Sequence, residues 1–183
     1  MKNAEELLRT SVWGPSLTTE EMTKALAGTF ERSFAPGAFI CMKGEPVDYW
    51  MGIIDGLGKM ASHWNTGKTT SLTGISTGGW FGEGSLLKSE PRRYDVMALR
   101  ETRVAFMSRA TFLWLLDHSI PFNRYMIAQL NERLGQFIGM IENERMLDTD
   151  ARIARGLAAL FNPVLYPGTL RLLQISQEEL GYL

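Results

Sequence analysis

Only one cysteine, Cys41, occurs in 183 residues. That scarcity excludes an intramolecular disulfide framework, and with it zinc ribbons and iron–sulfur clusters, which need several thiolates. Cys41 is expected to be a small apolar residue in a strand. Histidine is nearly as scarce. His63 falls on an expected strand and His118 at a helix end, where an imidazolium is favoured by the helix dipole. Two such separated residues give no basis for a haem or metal site. No apolar run approaches the length of a membrane span, and the N-terminal MKNAEELLRT has no apolar stretch behind it to make a signal peptide. The expected location is therefore the cytoplasm. An excess of one charge is also missing: 19 Lys and Arg stand against 20 Asp and Glu, a formal net charge of −1. The whole chain thus has no surplus for holding a polyanion. From Asp148 onward there are three arginines, no lysines and four acids, less basic than a finished DNA-binding domain. Gly67-Lys68-Thr69 has the tail of a P-loop, but the position of that motif's first glycine is Ser62. No Ser/His/acid triad and no metal set points to an enzyme.

The composition that is present, 45% hydrophobic and 21% charged, is that of an ordinary globular protein. Three blocks follow one another. The first is a short helical lead-in: Asn3 with Glu6 and Thr18 with Glu21 have the spacing of N-terminal caps, and Gly28 can close the second helix. The second runs from about Arg32 to Ser108. Its strand-like runs are Ala38 to Met42, Tyr49 to Ile54, Lys59 to Trp64, Thr70 to Ile75 and, with a break, Val96 to Met107. Turn signals at Pro36-Gly37, Gly44-Glu45-Pro46, Asp55-Gly56 and Gly78-Gly79 separate them, as in an antiparallel sandwich or barrel. Trp13, Trp50, Trp64, Trp80 and Trp114 are expected in a core or an interface.

The third block is helical. Ser108 caps a helix over Ala110 to Leu116, and Ser119 caps the next, with Pro121 in its first turn. That helix runs to about Met146. Asp148 or Thr149 starts another through Leu160, Asn162-Pro163 and Pro167-Gly168 mark a turn and a hairpin-like segment, and Ser176 with Glu179 opens a last helix at Gln177. In the long helix Ile127, Leu130, Leu134, Phe137 and Ile141 step by 3, 4, 3 and 4, a heptad seam. Met126, Ile138 and Met140 widen it, so one side can meet a partner helix while a flank packs on the β-domain. Gly135 and Gly139 lie off the seam; each costs roughly 1 kcal/mol against alanine, and close approach of the β-domain, a deliberately soft helix or chance would each account for them.

The stretch GWFGEGSLLKSEPRRYDVMA, Gly79 to Ala98, is the most informative. A glycine-rich turn leads into one helical turn, and a loop then brings in two arginines. Backbone N–H groups and an arginine fork suit an anion, and Glu83 is an acceptor for hydroxyls, so the chemistry fits a sugar phosphate. An exposed Glu and a surface Arg pair are the alternative on residues alone.

This stretch resembles the phosphate-binding cassette of cyclic-nucleotide-binding domains: Phe81, Gly82, Glu83, Pro91, Arg92, Val96 and Ala98 match it, and Gly84 and Ser85 continue the turn. The β-roll glycines, the long helix, LDTDARIARGLAAL and LQISQEEL extend the likeness to the cyclic-AMP receptor and fumarate–nitrate regulator family, over about Phe30 to Leu183. The resemblance implies that Glu83 takes a ribose hydroxyl and Arg92 the cyclic phosphate, with Arg93 the alternative if the loop shifts by one. It implies an α+β fold with three parts. N-terminal helices and an antiparallel β-roll sensor would cover 1–118, a dimerisation helix 119–147, and a hinge with an incomplete winged helix-turn-helix 148–183. The implied function is an effector-responsive transcription regulator, a homodimer that binds DNA when full-length. The chain itself is expected to stop within the helix-turn-helix. The alternative is a cyclic-nucleotide-binding module that regulates a protein partner. Several residues depart from a cyclic-AMP site. Gly84 and Ser85 replace an apolar-small pair, Tyr94 replaces a small residue, and Asp95 stands where a hydroxyl residue is usual; its carboxylate must turn away or pair with Arg93. Phe137 and Ile138 stand at the base-facing helix positions and cannot hydrogen-bond a base. The effector, cAMP or cGMP by resemblance, is not identified by these residues.

Overall fold

A computed structural model describes residues 3–63, 69–146, 148–169 and 172–182. Local chemistry opens the first two helices as expected. Asn3 accepts the Glu6 N–H at 2.8 Å to start α1 (Ala4–Thr10). A reciprocal box between Thr18 and Glu21 starts α2 (Thr19–Ala27), which ends on Gly28.

Eight strands follow: β1 (Thr29–Phe34), β2 (Phe39–Cys41), β3 (Tyr49–Asp55), β4 (Leu57–His63), β5 (Thr69–Ser76), β6 (Trp80–Phe81), β7 (Asp95–Ala98) and β8 (Thr102–Ser108). They form two four-stranded antiparallel sheets, ordered β1-β8-β3-β6 and β2-β7-β4-β5. This is the expected β-roll. Two strands lie outside the expected runs. β1 has no apolar alternation, since Glu31, Arg32 and Ser33 are exposed. It exists because β8 offers it an edge, paired residue for residue from Thr29↔Met107 to Phe34↔Thr102 and fastened by Arg103–Glu31 at 2.8 Å. β6 is two residues long, too short for a periodic signal.

The period of two divides the core. On β3, Trp50 and Ile54 face the helices while Met51 and Ile53 face the other sheet; on β8, Ala105 and Met107 divide from Val104 and Phe106 in the same way. On the helix side Trp50 and Trp80 stack at 4.2 Å, and Trp13, Phe112 and Phe122 pack around them. Cys41 is buried on β2, and burial pushes its thiol up to about 11. α4 (Arg109–His118) is capped by Ser108. Within it His118 stacks on Trp114 and meets that residue's carbonyl at 2.8 Å through Nδ1.

α5 (Ile120–Met146) is 27 residues long. Its first turns bury Phe122 and Met126, but beyond them polar residues also turn inward. Gln129, Arg133 and Gln136 face the β-roll and bond to it, whereas Ile127, Leu134, Ile138 and Ile141 are 50–68% exposed and Leu130 is 38% exposed. Close approach of the β-roll does not explain the two mid-helix glycines, because a Cβ on Gly135 or Gly139 would meet nothing within 4 Å. Gly135→Ala is therefore expected to stabilise the protein by up to ~1 kcal/mol, read as a higher midpoint in urea unfolding. A loss of stability would show that Gly135 is needed for packing that one protomer does not contain.

α6 (Thr149–Ala159) is capped by Asp148. The hairpin-like segment expected next is instead a run of turns over 160–169, with no strand pairing among the described residues. Asn162 causes this by accepting the Val164 and Leu165 N–H groups on Oδ1, both at 2.9 Å. α7 (Gln177–Tyr182) opens with the Ser176–Glu179 box, at 2.7 and 3.2 Å. Among the described residues no helix is long and apolar enough to cross a membrane.

Candidate functional site

Gly82 precedes a six-residue helix, α3 (Glu83–Lys88), with φ of 94°. Only glycine adopts that conformation freely, and a Cβ there would stand 2.9 Å from Arg92 Nη1. The turn thus rolls Glu83 inward and lets Arg92 close over it. Glu83 is 3% exposed and Arg92 6%. Gly84 is exposed and Ser85 half-buried, so the cassette's outer rim is these two residues.

The two arginines separate. Arg92 Nη2 donates to the Tyr49 carbonyl at 3.1 Å, and its backbone is held by Glu45 and Gly44. Arg93 points out, with 69% of its side chain exposed, and pairs with Glu90. That exposed pairing keeps the Glu90 carboxyl below its ordinary range, chiefly through the Arg93 hydrogen bond. Asp95 is buried on β7, and its Oδ1 accepts the Lys43 N–H at 2.8 Å. That bond turns one carboxylate oxygen toward the Lys43 loop, while Arg93 is engaged by Glu90 rather than by Asp95.

Glu83 does not face an open cleft. Arg133 of α5 donates to its Oε1 through Nε at 3.1 Å, a pair in which the side chains are 11% and 4% exposed. Arg133 Nη2 and Gln129 Nε2 both donate to the Trp80 carbonyl, at 2.9 and 3.1 Å. Burial disfavours the Arg133 charge; Glu83, then Tyr166 and Tyr94, more than offset this and hold the guanidinium above its ordinary range. Burial, and then the charge of Glu83, push the phenols of Tyr94 and Tyr125 up. Glu83 Oε2, Arg133 Nη1, Gln129 Oε1 and the Tyr166 hydroxyl are buried without a hydrogen-bond partner. The site is a closed polar cluster between β6, α3 and α5, with unspent hydrogen-bonding capacity. Cavities of about 400 and 950 Å³ lie elsewhere, against α6 and against residues 161–169 and 172–174, and neither is lined by Glu83 or Arg92.

The helix positions expected to face a ligand divide. Phe137 packs on its own roll's inter-sheet core, as Tyr94 does, while Ile138 is 50% exposed. Phe137 is thus not part of the exposed seam, and Ile138 takes its place beside Ile127, Leu130, Leu134 and Ile141. An ideal helix turns slightly past seven residues in two turns, so a stripe that begins on a 3-4 step drifts to the neighbouring position. Sequence reasoning missed Arg133 and Gln129. Their signal was a polar stripe, Gln129, Arg133 and Gln136, at helical spacing, but polar stripes ordinarily face water.

Residues 31–119 match the cyclic nucleotide-binding domain family. The chain is 31% identical over 140 residues to the cAMP-dependent protein kinase type II regulatory subunit of Drosophila melanogaster, covering 76% of this chain and 36% of that protein. It therefore spans about a third of the length of that curated relative. The sensor domain of the transcriptional regulator DNR from Pseudomonas aeruginosa superposes with a TM-score of 0.65 at 20% identity, over 74% of this chain and 91% of that one. The Thermus thermophilus Catabolite Activator Protein does so with a TM-score of 0.61 at 22% identity, over 74% and 62%. These likenesses in shape establish the fold: an antiparallel roll of the cyclic nucleotide-binding type, followed by a long helix.

Proposed function

We propose, from the premise that residues 31–119 are a cyclic nucleotide-binding domain, that this chain is the effector-sensing and dimerising part of a DNA-binding transcription regulator and has no catalytic role. The exposed apolar stripe of α5 carries the reading. A helix that turns Gln129, Arg133 and Gln136 inward and a row of isoleucines and leucines outward leaves a large apolar stripe in water. Such a stripe calls for a partner, and a second copy related by a two-fold axis presents the same stripe to it. The Glu83–Arg133 pair ties the cassette to that helix. An effector that engages Glu83 therefore acts on α5 directly, and through α5 on how two protomers sit. The capped start of α7 beyond α6 and the likeness in fold to two bacterial transcription regulators support the DNA-directed reading.

The ligand test is a thermal-shift series with cAMP and cGMP. Arg92→Ala is expected to abolish a nucleotide-induced shift, since Arg92 is the buried guanidinium beside Gly82. Arg93→Ala, at an exposed residue paired only to Glu90 among its described contacts, is expected to weaken it less. The reverse order would mean that the loop re-registers on binding. A folded protein in which neither nucleotide gives a shift would point to an altered or vestigial pocket, with Asp95 and Phe137 as the residues responsible.

A second reading is favoured by the 31% identity to a kinase regulatory subunit: a cyclic-nucleotide-responsive module that controls a protein partner. It does not require α5 to pair with itself, so a chain that is monomeric at micromolar concentration would favour it.

A further inference from the structure

The segment after α6 does not leave the β-roll. Asn162 reaches Glu132 on α5 through its amide, at 3.0 Å. The chain then drives Leu165 and Tyr166 into the inter-sheet core, where Tyr166 is wholly buried. The Tyr166 ring lies on Gly79, where a Cβ would stand 2.9 Å from it. Gly168 follows, so close to the Thr77 carbonyl that an added Cβ would be 2.3 Å from that oxygen. The hydroxyls of Thr169 and Ser76, both buried, meet at 2.6 Å. All three contacts fall on residues 76–79, the turn that leads into β6 and Glu83. Further on, Arg100 grips Glu179 of α7 at 2.7 and 2.9 Å and donates to the Gln174 carbonyl.

At its inner end this segment reaches the cassette. The Tyr166 phenol is one of the groups that raise the Arg133 pKa. Its ring on Gly79 stands one residue from the Trp80 carbonyl that holds Arg133, and its hydroxyl lies within reach of the Arg133 guanidinium, yet the hydroxyl, Arg133 Nη1 and Glu83 Oε2 make no well-formed hydrogen bond. Orphaned buried polar groups are costly. Three of them around one ion pair mark a site that is filled but not satisfied.

We propose that Tyr166 is a tethered occupant of the effector site: docking of the 160–169 segment and binding of an effector at Glu83 exclude one another. Effector binding then expels Tyr166, and with it loosens the segment that carries α7. The proposal rests on the reading of Glu83 and Arg92 as the effector site. It makes the docked state the resting state, because the occupant is covalently attached and needs no second molecule.

Two variants of the full chain test it from opposite ends. Tyr166→Ala removes the occupant. Gly168→Val pushes the segment off the Thr77 carbonyl without touching Glu83 or Arg133. Calorimetric titration with cAMP and cGMP is expected to show about tenfold tighter binding in both variants, since a site that is open only part of the time binds in proportion to that fraction. Hydrogen exchange of residues 162–169 is expected to quicken in both variants, and equally in wild-type protein saturated with nucleotide. Binding confined to the variants would support the proposal most directly. Equal affinity in all three proteins, with exchange unchanged by nucleotide, overturns it. Weaker binding in Tyr166→Ala overturns it too, since the ring would then be part of the bound site. If no nucleotide binds any of the three, the effector-site reading fails, and exclusion of an effector fails with it. Faster exchange in Gly168→Val would still report a docked segment, so the two failures are distinguishable.

Discussion

Leu134→Glu is expected to turn a dimer into a monomer in light scattering at micromolar concentration. Leu134 is 58% exposed at the centre of the α5 stripe. Covering the part left in water stabilises the pair by about 1–2 kcal/mol per copy, from a full value of ~1.5–3 for a leucine. A two-fold axis doubles the effect, and the variant brings two carboxylates together where two leucines would meet. The dissociation constant is therefore expected to rise by about 30-fold to 1,000-fold. Because the side chain touches little within its own protomer, the circular dichroism of the protomer should not change. An unchanged dimer would sink the α5 assignment. A protein that is unfolded rather than monomeric would show that Leu134 belongs to an intramolecular core instead.

Arg133→Ala is expected to cost about 3–5 kcal/mol of stability in urea unfolding, because it strands the carboxylate of Glu83 in a closed site. That figure is for the unpaired charge and not for the bond. Arg133→Met combined with Glu83→Gln should therefore recover most of the loss, since removing both charges of a buried pair is often nearly neutral. Gln129 still donates to the Trp80 carbonyl in the double variant, so that acceptor is not abandoned. A double variant as unstable as Arg133→Ala would mean that the guanidinium supports the fold by packing rather than by neutralising Glu83.

The sequence by itself determined most features that a few neighbouring residues can decide, the turn made by Asn162 being the exception. Caps at Asn3, Thr18, Ser108, Asp148 and Ser176 were legible because the bonds they make span three residues. The inner strands were legible because alternation of side chains is a property of the strand alone. Gly82 was legible as the residue that the turn before Glu83 needs. Tertiary structure alone decided what those residues meet. Arg133 lies 50 positions from Glu83, and Thr169 lies 93 from Ser76. A long polar side chain on a helix gains by facing water unless a partner of the right charge waits inside. That partner comes from chain that folds up against it from far away. The face of α5 turned to the roll was hidden for the same reason. Burying Gln129 and Arg133 in place of Leu134 and Ile138 is favourable only once the Trp80 carbonyl and Glu83 stand opposite them. The choice between Arg92 and Arg93 likewise waited on the Tyr49 carbonyl, brought in by β3, to take one guanidinium inside and leave the other to Glu90 in solvent.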